Sequence, residues 1–137
     1  MNEWSSRRGR FVEITFALVR FFAGILYCCH GAQKLFGAMG GQVAEAPLMK
    51  VAGVIEFGGG ILIAVGLLTS WAAFVASGQM ATAYFMAHAP NHFLPIVNRG
   101  ELAVVYAFLF LFICAHGGGR YSLDAMLRRG KTVPATA

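Results

Sequence analysis

The chain is a succession of apolar runs broken by short polar stretches. Four windows are long and apolar enough to read as membrane-crossing helices: 14–33, 51–71, 71–87 and 102–119. A helix needs about 20 mainly apolar residues to cross a bilayer. The second and third windows abut, which predicts a tight turn at Thr69–Ser70. Two loops rich in helix breakers separate the others. The first, 37–47, contains Gly37, Gly40, Gly41 and Pro47, and the second, 88–98, contains Pro90 and Pro95. Short connections favour antiparallel neighbours. The expected fold is therefore all-α, a four-transmembrane-helix antiparallel bundle. Residues 1–10 read as a polar cytoplasmic tail, 11–128 as the membrane domain and 129–137 as a disordered tail. A short amphipathic helix, 122–127, is expected after the last span, with Ser122 placed to cap it.

Composition agrees with a membrane location. Of 137 residues, 58% are hydrophobic and 12% charged, against about 45–50% and about 25% in soluble domains. The net charge of +5 is explained by topology. Arg7, Arg8 and Arg10 precede the first window, and Arg120, Arg128, Arg129 and Lys131 follow the last, whereas Lys34, Lys50 and Arg99 fall in the loops between. The excess of basic residues at both termini predicts an even number of spans with both termini cytoplasmic. These residues flank spans, so nucleic acid is not an expected partner. A secretory leader is the competing reading of the N-terminus, but no small-residue cleavage site follows the apolar stretch. Cys28, Cys29 and Cys114 form no C-x-x-C pattern and read as small packing residues.

Two charges interrupt the apolar windows. Arg20 lies in the first and Glu56 in the second. An ionisable group at bilayer depth costs about 2.5–3.5 kcal/mol on insertion scales, so such groups face the protein interior and find partners. Counted about nine residues from the inner start of the first helix and about eight from the outer start of the second, they lie about 13 and about 12 Å deep, and an Arg20–Glu56 pair is expected near the middle of the bilayer. Gln79 is the polar residue of the third window, and the three form a candidate buried polar centre. Its two readings are a lock that sets helix register and a site for a quinone headgroup, a small anion or a proton. A second candidate cluster, His30, Lys34, His88, His92 and Glu101, falls at the outer ends. His88 and His92 have a spacing that can bind metal on a helix, but Pro90 interrupts the turn, and no metal site is expected. Gly53, Glu56, Gly60 and Leu67 share a helix face, as do Arg20, Gly24, Tyr27, Gly31 and Lys34. The glycines are expected to let helices approach closely.

Several short motifs recur in one order: Arg20 with Gly24, then His30-Gly31-x-x-Lys34-Leu35-Phe36, Glu56-x-x-Gly59-Gly60, Val65-Gly66-Leu67-Leu68-Thr69, Glu101, and Gly117-Gly118-Gly119-x-x-Ser122-Leu123-Asp124. Together they resemble the DoxX-like family of small four-helix bacterial membrane proteins, over residues 14–126. The resemblance singles out Arg20, His30, Lys34, Glu56, Glu101 and Asp124. It implies a bacterial inner-membrane protein linked to redox chemistry. The expected function is an integral membrane subunit of a quinone-linked system, with other membrane or redox subunits as partners, a quinone as the one cofactor, and no assigned catalytic residue. The alternatives are a non-catalytic anchor or assembly partner and a small-solute transporter subunit.

Overall fold

A computed structural model describes residues 3–130, with side chains from residue 6 onward. It is all-helical, with no strand among the described residues. Among the described residues six α-helices follow one another: α1 (Glu3–Phe36), α2 (Pro47–Val65), α3 (Thr69–Ala83), α4 (Pro95–Asn98), α5 (Glu101–His116) and α6 (Leu123–Gly130). A π-turn, Tyr84–His88, continues α3. Within the stretch expected as a polar N-terminal tail, α1 is helical from Glu3, and Arg129 and Gly130 form the last turn of α6. The rest of the expected C-terminal tail, 131–137, lies outside the described residues. Ser6–Phe36 and Pro47–Val65 are long and apolar enough to cross a membrane, whereas Glu101–His116 is apolar but shorter.

Local chemistry sets the helix ends. Pro47 opens α2, where its fixed φ suits the first turn and its missing N–H is not needed. Gly66 closes α2 in the left-handed conformation, φ 74°, and its N–H returns to Leu62 and Ile63 carbonyls. The chain then reverses over Leu67 and Leu68. The α2–α3 turn thus falls a few residues before the expected Thr69–Ser70. Ser122 performs the expected capping: its hydroxyl accepts the Ala125 N–H at 3.1 Å.

α1 packs against α2, α2 against α3, and α3 against α5. The Tyr27 ring of α1 meets the Phe110 ring of α5, centroids 4.7 Å apart. The core contains Tyr27, Ile63, Ala73, Ala76, Phe110 and Ile113. Large apolar residues such as Phe22, Trp71 and Phe108 stand on the outside and are exposed, as lipid-facing positions are.

The α1–α2 contact is backbone to backbone. A Cβ on Gly24 would lie 2.5 Å from Ala64 N and 2.7 Å from Gly60 O; one on Gly60 would lie 2.5 Å from Cys28 N. No side chain fits there without parting the helices. Gly58 faces open space, with nothing within 4 Å. Gly24→Leu and Gly60→Leu are therefore expected to destabilise the protein by at least the ~1–3 kcal/mol of ordinary overpacking. Gly58→Ala should be neutral or slightly stabilising, since alanine is the better helix former. Thermal midpoints in detergent check this, and equal losses in all three variants would contradict it.

Candidate functional site

Two polar centres, at opposite ends of the α1–α2 interface, take the place of the single expected one. The correction follows from register. The Arg20 Nη1 donates to the Ile63 and Ala64 carbonyls, at 2.5 and 2.7 Å, and its Nη2 donates to the Tyr121 carbonyl at 2.7 Å. Ile63 and Ala64 lie seven and eight residues past Glu56, about 11 Å further along α2. Arg20 and Glu56 therefore do not pair. The depth count from the expected helix starts misled because α1 begins well before its expected start and because the glycine contacts set the register.

Glu56 pairs with Lys34 instead. The Lys34 ammonium donates to Oε1 in a short ion pair between a partly exposed lysine and a fully buried carboxylate. Gln79 Nε2 donates to the same oxygen at 3.0 Å, and Tyr27 OH donates to Gln79 Oε1 at 2.7 Å. A chain Lys34–Glu56–Gln79–Tyr27 thus ties α1, α2 and α3 together. Glu56 Oε2 is buried and has no hydrogen-bond partner. Such a group carries an unoffset desolvation penalty.

This chain lines a cavity of about 680 Å³, whose walls also include Met49, Ile55, Met80, Leu102 and Tyr106. Of the expected outer cluster, His30, Lys34 and His88 reach the cavity, joined by Arg99. His88 is held by the loop, with Nδ1 3.2 Å from the Asn98 carbonyl oxygen. Tyr84 steadies the same loop by donating to the Phe93 carbonyl. His92 turns away and accepts the Leu94 N–H at 3.0 Å, and Glu101 is exposed in the first turn of α5, outside the cavity wall. His88 and His92 thus do not converge, and no group of three or more potential metal ligands occurs among the described residues. All three cysteines are free.

At the other end, Asp124 closes the bundle. Its carboxylate accepts the Leu68 and Thr69 N–H groups, each at 2.9 Å, and the Thr69 hydroxyl at 2.8 Å. Its own N–H returns to the Gly66 carbonyl at 2.9 Å. These bonds supply α3 with the cap that Leu68 lacks. Burial by itself raises the Asp124 pKa, but the hydrogen bonds from Thr69 and Leu68, with the Arg128 charge, outweigh it and hold the carboxyl below the usual range.

The fold and the buried charges define a small helical membrane protein with a polar site inside the bundle. The chain belongs to the DoxX family, whose pattern matches residues 15–89. It is 41% identical over 116 residues to a Haemophilus influenzae protein described as uncharacterized, a match covering 79% of this chain and 87% of the relative. No solved structure matches it.

Two tests follow. Removing one partner of a buried ion pair costs about 3–5 kcal/mol, and somewhat less is expected here because Lys34 is partly exposed. Lys34→Met should lower the thermal midpoint, and adding Glu56→Gln should restore part of the loss; additive losses would contradict the pairing. For Asp124, the folded carboxyl binds its proton more weakly than the unfolded one. Its contribution is whole above the unfolded value of about 3.9 and is lost as pH falls through the lower folded value. Asp124→Asn should lower the midpoint at pH 7 and flatten its fall in acid, measured by melting from pH 7 to pH 3. An acid limb as steep as the wild type's would remove Asp124 from the explanation.

Proposed function

We propose that the protein is the membrane-embedded subunit of a quinone-linked redox system in a bacterial inner membrane, with the outer cavity receiving a quinone headgroup. In this reading α1, α2, α3 with its π-turn, and α5 are four spans, with both termini cytoplasmic. The antiparallel order of the helices supports it. So does the gathering of Arg7, Arg8, Arg10, Arg120, Arg128 and Arg129 beyond one end of the bundle.

The observation that carries the proposal is the pairing of an apolar cavity with a short polar wall. A quinone has a flat ring with two carbonyl acceptors on an apolar body. Sites for such molecules are mostly apolar, with a few placed polar groups. Lys34 keeps two N–H donors beyond its bond to Glu56, and Gln79 keeps one beyond its own. Either can orient a carbonyl. Glu56 Oε2 can hold a proton close to it, and His30 and His88 can exchange protons toward the outer face. Electrons would come from a larger partner subunit, the second interaction this reading requires.

The bonds from Glu56 to Lys34 and Gln79 also join three helices, which favours the anchor reading as the runner-up. Glu56→Gln separates the two. It keeps the shape of the side chain and removes its charge. Quinone-linked activity per folded molecule should fall at least about tenfold, the lower part of the range for losing a positioned acid–base group. His30→Asn should give a smaller loss. Quinone retained by purified wild-type protein and lost from Glu56→Gln would support the same reading. Unchanged activity per folded molecule, with lower protein levels, would leave the anchor.

A further inference from the structure

Arg20 stands apart from the outer cavity, and the hydrogen bonds described so far do not complete its environment. It is 3% exposed. Among the described residues, no Asp or Glu oxygen lies within 4.0 Å of it. Asp124 is the carboxylate whose charge it feels, but the Asp124 oxygens are taken by Leu68 and Thr69. Three of the five guanidinium N–H groups are committed to backbone carbonyls. Nε is buried and has no hydrogen-bond partner. A buried cation with spare donors and no anion is unfavourable.

The same side chain lines a second groove, of about 430 Å³, between α1 and α2 and bounded below by Tyr121. Its other walls include Ile14, Leu18, Phe21 and Val65. Leu18, Phe21 and Val65 are more than 40% exposed, so the groove opens on the face that meets lipid tails. It lies level with the Gly66 turn, where a Cβ on Gly66 would come within 2.8 Å of Arg20 Nη1. That is the end of the bundle carrying the arginine-rich flanks. α6, at the same end, exposes Leu123, Met126 and Leu127 beside Arg128 and Arg129, the pattern of a helix lying on an anionic membrane surface.

From this arrangement we infer that the groove binds a phospholipid with an anionic headgroup. Arg20 meets a phosphate oxygen with its uncommitted N–H groups, and the acyl chain lies along Leu18, Phe21 and Val65. Arginine suits this role because its planar fork presents several donors to phosphate and stays charged. The cytoplasmic leaflet is the one rich in anionic lipid. The site is independent of the outer cavity, so its failure would leave the quinone reading intact.

The test uses the delipidated full chain in neutral detergent, with native mass spectrometry for retained adducts and thermal melting as a second readout. Phosphatidylglycerol should give a 1:1 adduct that survives activation and raises the midpoint. Phosphatidylcholine and inorganic phosphate should do neither. Arg20→Lys should reduce retention about tenfold, as expected when a charge-assisted hydrogen bond is lost. Because that change also disturbs three carbonyl bonds, Leu18→Trp fills the groove from its exposed side while sparing them. It should cut retention while leaving the lipid-free midpoint unchanged. Equal retention of phosphatidylcholine, stabilisation by inorganic phosphate alone, or full retention in a folded Leu18→Trp protein would each overturn the site.

Discussion

Gly24 and Gly60 let the backbones of α1 and α2 touch, and the position of that contact determines which side chains can meet. With Gly24 against Gly60 and Ala64, Lys34 falls beside Glu56, and Arg20 falls beside the last carbonyls of α2. Two charged residues in adjacent spans would otherwise attract each other, and in a medium of low dielectric the attraction would be large. Here close packing overrides it. Small residues bring helices together in a membrane through dispersion contacts that lipid cannot replace, and electrostatics then works with the neighbours that packing supplies.

The two ends of the interface treat buried charge differently. At one end a carboxylate meets an ammonium and an amide, and one of its oxygens remains unsatisfied beside a large cavity. At the other, a guanidinium is held by three carbonyls and keeps donors in reserve beside a smaller groove. Both arrangements leave hydrogen-bonding capacity unused inside an apolar structure. Buried polar groups are ordinarily satisfied, so unused capacity that adjoins open volume is where binding partners are expected.

Much of this was legible in the sequence. Apolar windows revealed the helices, the glycines on one face of α2 revealed a close contact, and Ser122 revealed its cap. Glu56 and Gln79 were recognisable as buried companions and do hydrogen-bond. The partner of Glu56 was not legible. Lys34 is at the end of its apolar window and looks like an interfacial residue, whereas only the glycine register brings its ammonium inward. Nor could sequence reveal the partners of Arg20, because backbone carbonyls carry no residue-type signal. Asp124 was singled out by family resemblance alone. Its work depends on the turn at Leu68 and Thr69, and Thr69 lies 55 residues away from it along the chain, which no local pattern records.

That separation has a consequence for how the protein is made. The first amides of α3 wait for an acceptor that leaves the ribosome only after α3, the following loop and all of α5 have been synthesised. Until then the Leu68 and Thr69 amides lack the carboxylate that caps them in the folded chain. The final turn of synthesis, in which Asp124 reaches Leu68 and Thr69 while Tyr121 reaches Arg20, works like a clasp fastened last. A chain cut short before residue 121 would contain every long helix and still lack the piece that ties Arg20 and the α2–α3 turn together at that end of the bundle.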